Sequence, residues 1–450
     1  MKISELMHDG ISIGFFGFGR SSLGVLEYLK KQYRDLKITI RSDTPPTFGI
    51  PRGARLLTGK AATRDISESV LFLSPSVRRD REDIAFAKRR GVRISSDAEL
   101  FFEECRMPVI AITGSSGKSS CTALVASMLN RSGTQAIECG NFGPGLTAAL
   151  GRDAVPVAEL SSFQLNFFTP HTKRALITGI TPNHLNWHRD FSEYAASKLR
   201  LIENSDAAAY DFDCAYTANR LSEKKLFAAV SSLLSYSELS HRCNAENYIT
   251  LSGSTILRNG EKYIDISRAK RKERYHTKNF MLSSALTLDI CTCLAQEEAI
   301  ASFGGLAHRA ELILERGGIR YINSSIDSTP ERTLSTLLDM HGKNAVILCG
   351  RGKGLSYEGL VKRLSDLTAG VCLMGEITDE VLCELKRQCS SLPVLIAFDM
   401  NDALEKARTL LPCGGNIILS PSATSFDMYT SFEERGEDFR RAVKNTKVQD

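Results

Sequence analysis

The sequence predicts an α/β protein whose sheets are mostly parallel. Short apolar runs typical of buried strands alternate with amphipathic, helix-like stretches along nearly the whole chain. Two of these runs, Ile11–Phe16 and Val109–Ile112, each lead into a glycine-containing loop and then a helical stretch. A chain of 450 residues is long enough for about three domains of ~150 residues each. We place these domains at residues 1–105, 106–306 and 307–450.

The composition excludes several classes of protein. Net charge is +5, from 57 basic and 52 acidic residues spread along the chain, which indicates no nucleic-acid partner. No apolar run reaches the ~18 residues of a membrane-spanning helix. The 12 cysteines include no Cys-x-x-Cys pair, and with no signal peptide they indicate a reducing cytosol. We therefore expect a cytoplasmic protein with no nucleic-acid or membrane partner. Separately, we expect it to be a monomer.

A glycine loop follows the first strand of the first domain. Gly17-Phe18-Gly19-Arg20-Ser21-Ser22 lies at the Gly-x-Gly-x-x-Gly position of a Rossmann-type unit, with Ser22 in place of the third glycine. Asp43 ends the next strand, roughly 20 residues further on, where an acid could bind a ribose or a base. Strand-like runs at Val70–Leu73 and Gly91–Ile94 continue the alternation. The residues leave open whether these glycines bind a nucleotide or serve only the turn.

The chain is organised around a second glycine loop, which opens the middle domain. Strand, glycine loop, Lys-Ser and helix form the geometry in which backbone N–H groups cradle a triphosphate. Lys118 is expected to reach the β- and γ-phosphates, and the Ser119 hydroxyl to bind magnesium. The alternative is a Ser/Gly turn before a capped helix over Thr122–Asn130. The candidate ATP-binding residues are Gly114, Ser115, Ser116, Gly117, Lys118, Ser119 and Ser120.

Two more side chains of the middle domain, Glu159 and His184, are candidates for the same site. Glu159 ends an apolar strand, where an acid can hold magnesium directly or through water. His184 and His188 are spaced as a metal pair if they lie on a helix, but Pro182 favours a turn, so we select His184 alone. Lys198 lies on an amphipathic helix, where most lysines are solvated.

Five strings of the middle domain, taken in order, resemble the Mur ligase family. They are Gly-Ser-Ser-Gly-Lys-Ser-Ser, Gly-Asn-Phe-Gly, Glu-Leu-Ser-Ser-Phe-Gln-Leu, Asn-His-Leu-Asn-Trp-His and Ala-Ala-Ser-Lys-Leu-Arg. The resemblance covers nearly the whole chain, and the Glu-Leu-Ser-Ser-Phe-Gln string is specific to the member that adds D-glutamate. It implies a Rossmann-like first domain, a P-loop-type central ATPase domain and a Rossmann-like C-terminal domain.

The resemblance also implies a reaction and a set of residues. ATP, with magnesium, would drive the joining of D-glutamate to UDP-N-acetylmuramoyl-L-alanine through an acyl phosphate, in peptidoglycan synthesis. Catalysis would fall to Lys118, Glu159, His184 and Lys198. Magnesium would be held by Ser119, Glu159, His184 and Lys198, the last as a carbamylated lysine. The UDP substrate would contact Gly19, Arg20, Ser21, Asp43, Thr44, Asn141, Ser161 and Gln164.

In the C-terminal domain the resemblance implies the second substrate. D-Glutamate would be surrounded by Ser328, Lys353, Ser425, Phe426 and Phe432, although core packing is an alternative role for Phe432. The nucleotide would contact Arg309 there and Asn279 in the middle domain.

Three departures from the family pattern bear on function. Leu282 replaces the second asparagine of His-Asn-x-x-Asn, and Ser324 and Ile326 replace the acid and lysine of Asn-Asp-Ser-Lys-x-Thr. In the same two patterns, Lys278 also stands in place of the histidine and Ser328 in place of the threonine.

Other functions stay open at this point. A sister ligase that adds another amino acid is disfavoured by the C-terminal strings Ser-Phe-Asp and Phe-Glu-x-Arg-Gly. A non-catalytic nucleotide-binding relative is suggested by the three departures, but the ATPase residues are all present. A dehydrogenase would not need the second glycine loop.

Overall fold

A computed structural model describes residues 3–46, 49–185, 187–338, 340–352, 354–388 and 391–446. The chain forms two compact units, Met1–Phe303 and Gly304–Asp450. The division of the first unit into two domains at residue 105 stays a prediction. None of the helices in the described ranges combines the length and apolar character that crossing a bilayer requires.

Strands and helices alternate through both units. The strands are β1 (Ser12–Phe16), β2 (Lys37–Ser42), β3 (Arg55–Thr58), β4 (Val70–Leu73), β5 (Arg93–Ser96), β6 (Ile110–Thr113), β7 (Ala136–Gly140), β8 (Val155–Glu159), β9 (Thr172–Ile177), β10 (Ser205–Asp211), β11 (Leu226–Val230), β12 (Ala245–Ser252), β13 (Thr255–Arg258), β14 (Glu261–Asp265), β15 (Glu311–Arg316), β16 (Ile319–Asn323), β17 (Asn344–Cys349), β18 (Gly370–Met374), β19 (Val394–Ile396) and β20 (Gly415–Ser422). The helices are α1 (Ile3–Leu6), α2 (Arg20–Lys30), α3 (Glu82–Arg89), α4 (Asp97–Glu104), α5 (Lys118–Arg131), α6 (Ser162–Leu165), α7 (Phe191–Glu203), α8 (Ala215–Leu221), α9 (Tyr236–Arg242), α10 (Arg274–Leu286), α11 (Cys293–Ser302), α12 (Pro330–Leu338), α13 (Glu358–Leu367), α14 (Thr378–Gln388), α15 (Met400–Thr409) and α16 (Phe432–Asn445).

The first unit holds two sheets. One has the order β3-β2-β1-β4-β5 and is parallel throughout. The other has the order β14-β13-β12-β11-β10-β9-β6-β8-β7, and its strands are parallel except for the antiparallel β12-β13-β14 ribbon. Because parallel strands point the same way, the loops after β6, β8, β9, β10 and β11 emerge at one edge of this sheet.

The second unit holds a third sheet, in the order β15-β16-β20-β17-β18-β19. Only the pairing of β15 with β16 is antiparallel among the pairs described for it. Strands β17, β18 and β20 are buried along nearly their whole length, as expected of strands covered on both faces. The carboxyl ends of β16, β20 and β17 therefore lie side by side.

Candidate active site

The second glycine loop lies between β6 and α5, as the sequence predicts. Helix α5 begins at Lys118, four residues before the expected start, so Lys118 and Ser119 form its first turn. Gly117 has φ +81°, and a Cβ there would lie 2.5 Å from Asn279 Oδ1, so this position requires glycine. Because the first N–H groups of a helix have no acceptor within the helix, this end of α5 can receive an anion.

Residues outside the loop fix its shape. The Ser115 N–H donates to Gly179 O at 2.9 Å, and Ser115 Oγ lies 2.8 Å from the Tyr194 hydroxyl. Thr178 Oγ1 donates to Ser116 O. The sequence analysis did not select Thr178 or Tyr194, because they follow the loop by about 60 to 80 residues in the chain.

A hydroxyl and a carboxylate meet beside the loop. The Ser119 hydroxyl donates to Glu159 Oε2 at 2.5 Å, and both side chains are buried. The pairing of Ile112 with Glu159 across β6 and β8 produces this contact. Hard oxygen ligands of this kind suit magnesium. Among the described residues, no three His, Cys, Asp or Glu side chains form a cluster that could hold a metal ion.

Lys198 is a buried residue of α7 and not a solvated helix lysine. Its side chain is 2% exposed, and Nζ donates to Gly114 O at 2.7 Å. Burial, followed by the nearby charge of Lys118, holds the pKa of Lys198 well below its ordinary value. The lowered pKa favours the neutral form of this amine, which lies directly behind the phosphate loop.

His184 and His188 lie in a turn rather than on one helix face, as Pro182 indicated. His184 is exposed, has φ +55°, and its ring contacts Phe163 with centroids 4.9 Å apart. His188 is buried with Nε2 2.9 Å from Ser162 Oγ, and burial lowers its pKa to about 4. The role of His184 as a metal ligand stays a prediction.

Helix α10 brings Asn279 against the phosphate loop. Asn279 is buried beside Gly117, and Cys121 Sγ lies 3.7 Å from its Oδ1. Its neighbour Lys278 pairs with Asp211 at 2.9 Å and with Asp213. Leu282, one turn further on, is fully buried. The leucine that replaces the second asparagine of the family pattern therefore packs into the core.

Two residues predicted to contact the UDP substrate, Ser161 and Gln164, cap helix α6. Ser161 Oγ accepts from the Gln164 N–H at 3.3 Å, and Gln164 Oε1 accepts from the Ser161 N–H at 3.1 Å. Gln164 Nε2 donates to Asp97 Oδ2 at 3.1 Å. The amide orientation of Gln164 is thus fixed by a carboxylate on α4, beside the first sheet. Asn141, also predicted there, is exposed, and its N–H donates to Glu159 O at 3.0 Å.

We expect Asp97→Asn to stabilise the fold at neutral pH. Burial raises the pKa of Asp97 to about 6, so the folded state binds its proton more tightly than the unfolded state. The contribution of this carboxyl to stability is therefore lost as pH rises through 6. When the pH is raised from about 5 to about 7.5, the free energy of unfolding of the variant should rise relative to that of the parent by about 1 kcal/mol. Urea unfolding at the two pH values measures this; exposed Asp153→Asn is the control, and an equal gain there would contradict it.

The first-domain candidates lie around the loop after β1. Helix α2 begins at Arg20 with Gly19 as its N-cap residue, and Arg20 is exposed. Asp43 is held by Arg81 at 2.6 Å, and the hydrogen bond from Arg81 lowers the pKa of Asp43. Its carboxylate is 57% exposed, so it stays accessible to a ligand. Ser21 is half-buried and Thr44 is exposed.

The D-glutamate candidates gather at the carboxyl edge of the third sheet. Ser425 is buried, Phe426 is 62% exposed, and Ser328 and Phe432 are half-buried. The Phe432 ring lies edge-on to His308, with centroids 6.2 Å apart. Lys353 lies outside the described residues. Arg309, the predicted nucleotide contact, is half-buried.

The sequence analysis missed a buried acid beside this group. Asp327 Oδ2 accepts from Ser420 Oγ at 2.8 Å and from Thr336 Oγ1 at 2.7 Å, and burial raises its pKa. Ser324, which replaces the acid of the family pattern, lies three positions earlier and is also buried. Its Oγ accepts from the Ala310 N–H at 3.2 Å. In the sequence, Asp327 belongs to the string compared with Asn-Asp-Ser-Lys-x-Thr, but the acid of that pattern corresponds to Ser324.

These features define an α/β protein with a phosphate-type glycine loop, a carboxylate beside it and a second α/β unit. Residues 112–286 match the Mur ligase middle domain. The chain is 31% identical over 386 residues to the UDP-N-acetylmuramoylalanine–D-glutamate ligase of Clostridium botulinum, covering 84% of this chain and 82% of that one. The enzyme of the same name from Acetivibrio thermocellus is 29% identical over 392 residues, with 84% and 82% covered. The chain belongs to the Mur ligase family.

Solved structures support the same fold. UDP-N-acetylmuramate-alanine ligase from Thermotoga maritima aligns with a TM-score of 0.59 at 16% identity, covering 97% of this chain and all of that one. A pseudomurein peptide ligase type C from Methanothermus fervidus aligns with a TM-score of 0.57 at 13% identity, with 97% and 100% covered. The expected α/β fold of a Mur ligase is confirmed.

Proposed function

We propose that this protein is the ligase that joins D-glutamate to UDP-N-acetylmuramoyl-L-alanine at the expense of ATP, a cytoplasmic step of peptidoglycan synthesis. The observation that carries the proposal is the similarity, across more than four fifths of the chain, to ligases of that name. The buried Ser119–Glu159 pair and Lys198 beside the phosphate loop support an ATP-dependent reaction.

The chemistry follows from the residues at the loop. The carboxylate of the L-alanyl group attacks the γ-phosphorus of ATP, ADP leaves, and an acyl phosphate forms. The amine of D-glutamate then attacks the acyl carbon, and phosphate leaves as the amide forms. Lys118 and the first-turn N–H groups of α5 hold the phosphates in position and offset their charge. Magnesium, when bound, offsets further phosphate charge, and Ser119 and Glu159 supply ligands for it.

The remaining assignments belong to the same proposal. Lys198 carries a carbamate, and His184 is a metal ligand rather than a base. The loop after β1, with Asp43 and Thr44, binds the uridine nucleotide, and Asn141, Ser161 and Gln164 contact the muramoyl part. Asn279 and Arg309 contact the ATP nucleotide. The enzyme acts as a monomer.

The amino-acid choice can be tested through Lys353. A cation that pairs with a carboxylate of D-glutamate is worth roughly 1.5–3 kcal/mol, so Lys353→Ala should raise KM for D-glutamate about tenfold or more. Steady-state rates at varied D-glutamate measure this. Lys362→Ala, an exposed lysine paired with Glu358, is the control and should leave KM unchanged. A parent enzyme that prefers L-lysine or diaminopimelate over D-glutamate would contradict the proposed function itself.

A further inference from the structure

A buried arginine at the start of α16 has no assigned role. Arg435 is 0% exposed, and a buried guanidinium is costly unless its donors are satisfied. Among the described residues it makes no ion pair with a carboxylate; the acceptors recorded for it are a hydroxyl and backbone carbonyls. Burying this guanidinium costs desolvation energy. The positions of its hydrogen-bond acceptors therefore indicate what the side chain does.

The acceptors of Arg435 belong to three different strand ends. Nε donates to Ser325 Oγ at 3.1 Å and Nη2 to Ser325 O at 2.9 Å, just after β16. Nη1 donates to Cys349 O at 3.3 Å, at the end of β17. Nη1 also donates to Ala423 O at 3.2 Å, just after β20. One planar fork therefore joins the carboxyl ends of three adjacent strands.

The same three strand ends lead to the candidate D-glutamate residues. Ser328 comes three residues after Ser325, Lys353 four residues after Cys349 and Ser425 two residues after Ala423. Phe432 is connected to the end of β16 by a hydrogen bond, since Ser325 Oγ donates to Phe432 O at 2.8 Å.

Two of the segments also pair with each other, because Arg351 and Thr424 exchange backbone hydrogen bonds of 2.9 and 3.0 Å. The guanidinium is thus bonded to the strand ends from which the candidate segments continue.

We propose that Arg435 is a positioning residue for the amino-acid substrate: it sets the relative placement of the three strand-end segments that carry Ser328, Lys353 and Ser425. It does not touch the substrate, since it is fully buried. The assignment rests on the proposed function. Lysine cannot replace arginine here, because an ammonium is a point charge and lacks the rigid fork that reaches three backbones at once.

The test is Arg435→Lys, which keeps the charge and removes the fork. We expect KM for D-glutamate to rise tenfold or more, while KM for ATP and for UDP-N-acetylmuramoyl-L-alanine stays within twofold. Acyl phosphate formed without D-glutamate, trapped with hydroxylamine, should also be retained. A merely structural role would move all three constants together or lower the thermal midpoint without changing KM for D-glutamate. The control is Arg441→Lys on the same helix, exposed and paired with Asp438, which should change none of these.

Ser325→Ala keeps the proposal testable if Arg435→Lys does not fold. It removes one acceptor of Arg435 and the bond to Phe432 O, and KM for D-glutamate should rise several-fold with the other two constants unchanged. An unchanged KM for D-glutamate in a folded variant would overturn the positioning role and leave the proposed function intact. A parent enzyme with no D-glutamate-dependent turnover would instead overturn the proposed function, and this assignment with it.

Discussion

Replacing Lys118 with alanine should lower ATP turnover at least about a hundredfold and leave binding of the uridine nucleotide nearly unchanged. Phosphoryl transfer depends on positioning and charge neutralisation, with little covalent chemistry left to the protein. Lys118 is the first residue of α5, and its Nζ donates to Ser115 O at 3.2 Å, so its charge lies over the loop. The residues proposed for uridine belong to another sheet, which is why the two effects should separate.

Two measurements check this. Phosphate release reports turnover, and calorimetric titration with the UDP substrate reports binding. Lys173→Ala, an exposed lysine of the same unit paired with Asp206, is the control and should match the parent. Phosphate release at the parent rate from Lys118→Ala would show that the loop does not bind the phosphates.

Lys198→Ala should be nearly inactive and should recover in part with added acetate or formate. The lowered pKa of Lys198 favours the neutral amine, which is the form that can attack carbon dioxide and lose a proton to become a carbamate. The product is anionic and offers oxygen ligands, as magnesium prefers. Its remaining N–H can still donate to Gly114 O, the present partner of Nζ. An ammonium would instead repel a nearby cation, by about 4 kcal/mol for two unit charges ~4 Å apart at an effective dielectric of ~20.

Chemical rescue separates this role from packing. Acetate can enter the space that the truncated side chain leaves and supply the missing oxygens, whereas chloride at equal ionic strength cannot. Lys198→Arg, which fills the space and cannot form a carbamate, should be inactive with either salt. A fully active Lys198→Ala enzyme would mean that this lysine has no part in the metal site.

Local patterns sufficed for the elements around the phosphate loop, but they do not predict a strand whose structure is decided by pairing in the sheet. Strand β10 reads Ser-Asp-Ala-Ala-Ala-Tyr-Asp, and alanine intrinsically favours helix. Its position between β9 and β11 overrides that preference. The β13–β14 hairpin differs in this respect, since Asn259-Gly260 is a strong hairpin dipeptide that marks its turn in the sequence.

The residues of the candidate site also differ in whether the sequence alone identifies them. Ser119 could be selected because Lys118-Ser119 follows a glycine loop, and Glu159 because it ends an apolar strand. Asp97 and Arg435 could not be, because their partners Gln164 and Ser325 lie 67 and 110 residues away along the chain. A lone Asp at a helix start or Arg near a helix start is ordinary in sequence, and its burial appears only in the folded chain.

The measurement that tests the central proposal most directly is phosphate release from ATP in the presence of UDP-N-acetylmuramoyl-L-alanine, with and without D-glutamate. The proposed function predicts sustained release only when both are present, one phosphate for each amide formed. Omitting D-glutamate should leave at most the amount of acyl phosphate that the enzyme can hold. Equal sustained release with and without D-glutamate, or none with both substrates, would contradict it.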